Sequence, residues 1–109
     1  SVSSAALVAL LHPTPAVCGT PRQQALALIR QAEPVARGFY AGAVGWTDVQ
    51  GDGDWYVAIR CARVQGTEVR LYAGAGIVAD SHPDLEVAET AAKFMALLTA
   101  LGVHDVRPF

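Results

Sequence analysis

Apolar residues follow three different rhythms along this chain, and each rhythm predicts a different element. Near the start, Ala5, Ala6, Leu7, Val8, Ala9, Leu10 and Leu11 form an unbroken apolar run. It reads as a short helix over 3–11, ended at His12 and Pro13 because proline disfavours helical geometry in the residue before it. Residues 13–19 are rich in proline and small side chains and read as a loop. A second helix is predicted over 20–32, with Thr20 as its cap, Pro21 in the first helical position and Gln23 completing a capping box. Ala25, Leu26, Ile29 and Leu28 would form its buried side, and Pro34 closes it.

The middle of the chain changes to alternation. Strands are predicted over 39–47, 55–64 and 68–74. Gly51, Asp52 and Gly53 separate the first two, and Gln65, Gly66 and Thr67 the second and third. Such short connections favour an antiparallel three-strand meander. A long helix over 81–101 follows, with Gly102 as its stop. The fold class is therefore α+β, with helices flanking an antiparallel meander.

Composition narrows the function classes. Of the 109 residues, 52% are apolar, which is ample for a core, and the formal charge is only −2. Lys and Arg form no block, which argues against nucleic acid as a partner. No apolar run approaches the roughly 20 residues of a membrane span, and no signal-peptide pattern opens the chain. Cys18 and Cys61 lie far apart without a CxxC, as expected for reduced thiols of a cytoplasmic protein. The chain begins at Ser1 and enters apolar sequence almost at once, which reads as a cut inside or just before a helix.

Candidate chemistry gathers in three places. On the last helix, Val87, Ala91, Phe94, Leu98 and Leu101 share one face, expected to be core. Glu86, Glu89 and Lys93 form a second stripe, each about one turn from the next. That stripe reads either as a solvated face with one Glu–Lys pair, or as two carboxylates for a hard cation beside an ammonium for an anion. Arg60, placed mid-strand by the alternation, would need a carboxylate or phosphate partner, unless it forms an internal salt bridge to a strand neighbour or is barely covered. A hairpin folded about Gly51 would set Tyr40 nearly opposite it. Gly74 and Gly76 end the third strand, either as a bulge or where a ligand approaches the backbone. His12, His82 and His104 lack metal-ligand spacing, Cys18 has no evident base, and Asp48, Asp52 and Asp54 read as turn formers.

Five blocks taken in order carry a resemblance. HPTPAVCGTP at 12–21 resembles the HPTPAxxG-x-P segment of isochorismate synthases, and FYAGAVGW at 39–46 resembles their FYAGxVGW strand. IRCA at 59–62, LYAGAGIV at 71–78 and the E-x-x-E-T-x-x-K series of Glu86, Glu89, Thr90 and Lys93 follow at compatible spacing. The sequence is similar to the chorismate-utilising enzymes, among them salicylate and anthranilate synthases. The resemblance implies the carboxy-terminal part of one large α+β chorismate-binding domain. It implies Tyr40 and Arg60, with the backbone at Gly74, for the enolpyruvyl carboxylate, and Gly76 and Lys93 for the ring carboxylate. Glu89, and Glu86 directly or through water, would bind Mg²⁺. Ala16, where salicylate synthases carry Thr, suits formation of isochorismate.

The general base and acid of the family, a Lys and a Glu, and a further metal-binding Glu fall upstream of these residues. The implied partners are chorismate and the remaining amino-terminal part of the same protein, without which these residues would be inactive. Salicylate synthase, another chorismate enzyme or a stand-alone binding module remain as alternatives. Catechol siderophore and menaquinone pathways both stay open.

Overall fold

A computed structural model describes residues 1–104. In chain order it contains α1 (Ser4–Leu11), α2 (Pro15–Cys18), α3 (Arg22–Ala32), β1 (Ala43–Thr47), β2 (Gly53–Val57), β3 (Cys61–Gln65), β4 (Glu68–Tyr72) and α4 (Pro83–Leu101). The chain divides into two compact units, the first covering Ser1–Ala58 and the second beginning at Ile59. The α+β class with antiparallel strand pairs and flanking helices is as expected. The three-strand meander is not what forms: β1 pairs with β2 and β3 with β4, as two hairpins.

In the first unit, α1 starts at Ser3, whose hydroxyl accepts from the Ala6 N–H at 3.2 Å. This cap satisfies one of the N–H groups that a helix start leaves without a partner. The same end is tied to the β1–β2 hairpin. The Ser4 N–H donates to the Gly51 carbonyl at 2.7 Å, and the Trp55 indole donates to Ser4 Oγ at 3.2 Å. An open apolar groove between α1 and the hairpin is lined by Leu7, Leu11, Ala43, Trp55 and Val57. The hairpin turn is closed by Asp48, whose Oδ1 accepts from the Gln50 and Asp52 N–H groups, each at 2.9 Å. Asp48 is thus a turn former, as its place in the sequence suggests.

The pairing Gly45↔Trp55 explains a glycine in the strand. A Cβ at position 45 would meet the Asp54 carbonyl and the Trp55 ring. The predicted first strand starts later than expected, at Ala43, because residues 39–41 turn. Ala41 has left-handed φ (62°), yet is 9% exposed and held on both sides. Its N–H donates to the Ala58 carbonyl at 2.7 Å, and His12 Nε2–H donates to its carbonyl at 2.7 Å.

Two helix expectations need correction. Residues 15–18, read as loop, form α2, with Pro15 in the first helical position. The capping box at Thr20 does not form: Pro21 occupies the cap position of α3 and supplies no side-chain bond. Ala25, Leu26 and Ile29 are partly covered as expected, whereas Leu28 is exposed. Among the described residues, the apolar side chains that are buried are Cys18 and Ala41, and no large one is fully buried. Large ones such as Phe39, at 91% exposed, face solvent. Both Cys18 and Cys61 are thiols.

In the second unit, β3 and β4 pair from Cys61↔Tyr72 to Gln65↔Glu68 around Gly66, whose φ is 59°. The single strand expected over 55–64 is divided because the backbone at Arg60 turns left-handed (φ 48°). Alternation continues on both sides of that point, so the pattern of side chains carries no mark of the break. α4 ends at Gly102, left-handed as a helix stop requires, with Val103 N–H returning to the Leu98 carbonyl at 3.0 Å. Its covered side also differs from expectation. Glu86, Thr90, Lys93, Phe94, Leu97 and Leu98 are partly covered, while Val87, Ala91 and Leu101 are exposed. Apolar residues occur all round this helix, so periodicity could not single out one stripe. Among the described residues, no helix is long and apolar enough to cross a membrane.

Candidate functional site

The acid–acid–amine row of α4 is unevenly covered: Glu86 and Lys93 are half-buried, whereas Glu89 is exposed. Helical spacing stacks Glu86, Glu89 and Lys93 over two turns, and packing against β4 and the segment after it shields them unevenly. Lys93 Nζ lies 2.9 Å from Glu89 Oε1 and donates to the Gly74 carbonyl at 2.8 Å. Its side chain is 22% exposed, so this is not a freely solvated surface pair. An ammonium has three N–H donors; these two contacts leave one for a ligand. Glu86 is half-buried, and its Oε2 is shielded from solvent with no hydrogen-bond partner among the described residues. A buried carboxylate oxygen without a partner is costly unless a cation or donor meets it.

Glu86 and Glu89 offer oxygen donors of the kind a hard divalent cation takes, through one or two carboxylates with water and substrate completing its shell. The donor set therefore fits Mg²⁺. Among the described residues no group of three or more His, Cys, Asp or Glu side chains is assembled. Further ligands would have to come from outside this set.

Gly74 is half-buried and its carbonyl, rather than its N–H, is the group engaged by Lys93. Gly76 is exposed, and a Cβ there would meet nothing within 4 Å. Among the described residues, no steric demand requires glycine at that position. Arg60 stands apart from the sequence picture. It lies outside both neighbouring strands rather than mid-strand, and of the readings left open for it the exposed, barely covered one is what forms.

In the first unit, Tyr40 belongs to a turn, its N–H donating to the Arg37 carbonyl at 3.0 Å. The Arg37 guanidinium lies over its ring, 5.3 Å from the centroid. Arg37 also makes a two-pronged bond to Glu33, with Nε 2.8 Å from Oε2, and Nη1 donates to the Val17 carbonyl at 3.2 Å. The bond to Glu33 raises the Arg37 pKa above its ordinary value, against the opposing effect of partial burial. Ala16 is exposed on α2, next to Val17.

Sequence reasoning missed Glu33, Arg37 and His12. The four-residue spacing of Glu33 and Arg37 was a usable signal, but Pro34 between them places the pair beyond the helix, where that spacing is not normally read. Arg22 adds a further tie, donating from Nη2 to the His12 carbonyl at 2.8 Å.

Known proteins share much of this sequence and fold. The sequence model of the family described as Chorismate binding enzyme matches residues 1–102. Isochorismate synthase DhbC of Bacillus subtilis is 54% identical over 106 residues, covering 97% of this chain and 27% of the relative. Isochorismate synthase EntC of Escherichia coli K12 is 48% identical over 98 residues, covering 90% and 25%. The crystal structure of DhbC from Bacillus anthracis superimposes with a TM-score of 0.89 at 56% identity, covering 94% of this chain and 27% of that one. The chain spans about a quarter of the length of the relatives it matches. Matched over nearly its whole length by that family model, the chain belongs to the chorismate-binding enzyme family.

Proposed function

We propose that this chain is the carboxy-terminal part of a single chorismate-binding domain, and that the intact protein is a cytoplasmic isochorismate synthase converting chorismate to isochorismate. The observation that carries the reading is the Glu86, Glu89 and Lys93 row of α4, half-buried at Glu86 and Lys93, with Lys93 anchored to the Gly74 carbonyl. Its relatives, isochorismate synthases at 48–54% identity, support the same reaction.

Chorismate is a dianion, and the proposed roles follow from that charge. Lys93 and the backbone at Gly76 serve the ring carboxylate. Arg60, Tyr40 and the backbone at Gly74 serve the enolpyruvyl carboxylate, and the small side chain of Ala16 tunes the choice of reaction. Exposure of Arg60 suits a guanidinium that takes its partner from the ligand. Glu89, with Glu86 directly or through water, would hold Mg²⁺. Bound there, the ion supplies positive charge to a substrate carboxylate.

The reaction replaces the ring 4-hydroxyl: water adds at the 2-position, the double bonds shift, and the departing hydroxyl leaves as water. A general base takes the proton of the attacking water and a general acid donates one to the leaving oxygen. Both are assigned to the part of the protein upstream of these residues, so this chain binds and orients.

The test is incubation of the intact protein with chorismate and Mg²⁺. Isochorismate formed without pyruvate supports the proposal. Pyruvate release would assign a salicylate-forming reaction instead, and no turnover would refute both. Whether the product serves a siderophore, as the vibriobactin-specific name of one Vibrio cholerae relative says of that protein, or a quinone pathway would follow from the neighbouring enzymes.

A further inference from the structure

We propose that Arg37 is a positioning residue for Tyr40, locking the phenol ring and the α2 segment beside Ala16 into one arrangement; this rests on the carboxylate-binding role given to Tyr40 above. Tyr40 sits in a turn, where no strand pleat sets the direction of its side chain. Its orientation must come from a specific neighbour. Arg37 is one such neighbour, with its guanidinium covering the Tyr40 ring at 5.3 Å from the centroid.

The guanidinium is itself held at two further points. Nε and Nη2 bond the Glu33 carboxylate, and Nη1 donates to the Val17 carbonyl at 3.2 Å. Three of its five N–H donors are committed in this way, which fixes the plane, and one face of that plane meets the ring. Glu33 also balances the charge, so Arg37 is not available as a competing anion site. The Val17 bond links the same plane to the residue next to Ala16. One side chain thus sets two elements to which the proposed chemistry assigns roles. A phenol that donates to a carboxylate depends on being held in place, because small misplacements weaken oriented binding steeply.

A double-mutant cycle in the intact protein tests this. Arg37→Met should raise KM for chorismate roughly tenfold while kcat changes by about threefold or less, the scale expected for a lost ring–cation contact. In a Tyr40→Phe background, where no phenol remains to be positioned, the same substitution should raise KM by about twofold or less. Arg37→Lys keeps a cation for the ring but not the fork, and should fall between. If Arg37→Met raises KM equally in both backgrounds, Arg37 only supports the fold and the proposal is overturned. Should Arg37→Met fail to fold, the Arg37→Lys pair decides by the same comparison. An unmutated protein that neither binds nor converts chorismate would remove the underlying function and this inference together. An active unmutated protein with an additive cycle would remove this inference alone.

Discussion

Lys93 and Glu89 are partners one helical turn apart, with 2.9 Å between Nζ and Oε1. The carboxylate proposed for the metal therefore neutralises the ammonium proposed for the substrate when neither ligand is bound. Pairing of this kind keeps two like-stripe charges compatible with a partly covered helix face, and the Gly74 carbonyl completes the arrangement at 2.8 Å.

Lys93→Met separates the binding role from the structural one. A pair of this spacing contributes only about 0.3–0.5 kcal/mol to stability. A hydrogen bond to a charged substrate group contributes about 1.5–3 kcal/mol. With the bond to the Gly74 carbonyl lost as well, the unfolding free energy should fall by about 1–2 kcal/mol, while titration with chorismate should show affinity falling at least tenfold or so.

Glu86 should show the opposite balance. Its Oε2 is shielded and lacks a hydrogen-bond partner among the described residues, so its charge costs free energy without a cation. Glu86→Gln is expected to stabilise the metal-free protein by about 1 kcal/mol and to weaken Mg²⁺ binding. Calorimetric titration with Mg²⁺, beside a denaturant curve in chelator, measures both. Loss of stability with unchanged Mg²⁺ affinity would contradict the proposed ligand role.

Arg60 is exposed and left-handed, a geometry in which glycine is about 1 kcal/mol or more better tolerated. Arg60→Gly should raise stability by roughly 1 kcal/mol, and Arg60→Ala should leave it nearly unchanged. Both should weaken chorismate binding by about 1.5–3 kcal/mol, the value of a charge-assisted contact. Unchanged affinity in both variants would remove Arg60 from the site.

Gly76 and Gly45 make a contrasting pair. At Gly76 an added methyl group meets open space, so Gly76→Ala should unfold within about 0.5 kcal/mol of the parent. If the backbone there touches substrate, KM for chorismate should nevertheless rise several-fold. At Gly45 the methyl group would strike the Asp54 carbonyl and Trp55 ring across the hairpin. Gly45→Ala should cost about 1–3 kcal/mol in chemical denaturation, as overpacking does.

Much of this molecule was determined locally, and the sequence alone was enough for that part. Proline after His12, the stop at Gly102, the Asp48 turn and the Gly66 turn set most element boundaries, because each acts on the few residues beside it. The ordered blocks from HPTPA to the Glu86, Glu89 and Lys93 series were likewise sufficient to indicate the family.

Other features were decided only by tertiary structure. Which stripe of α4 is covered depended on β4 and the segment after it, since apolar residues surround that helix. The break at Arg60 left the alternation of side chains intact, so no pattern recorded it. Arg37 reaches Glu33, Val17 and Tyr40 from a segment without regular structure. Periodicity describes regular elements, whereas the direction of a long side chain in a turn is settled by what the folded chain brings within reach.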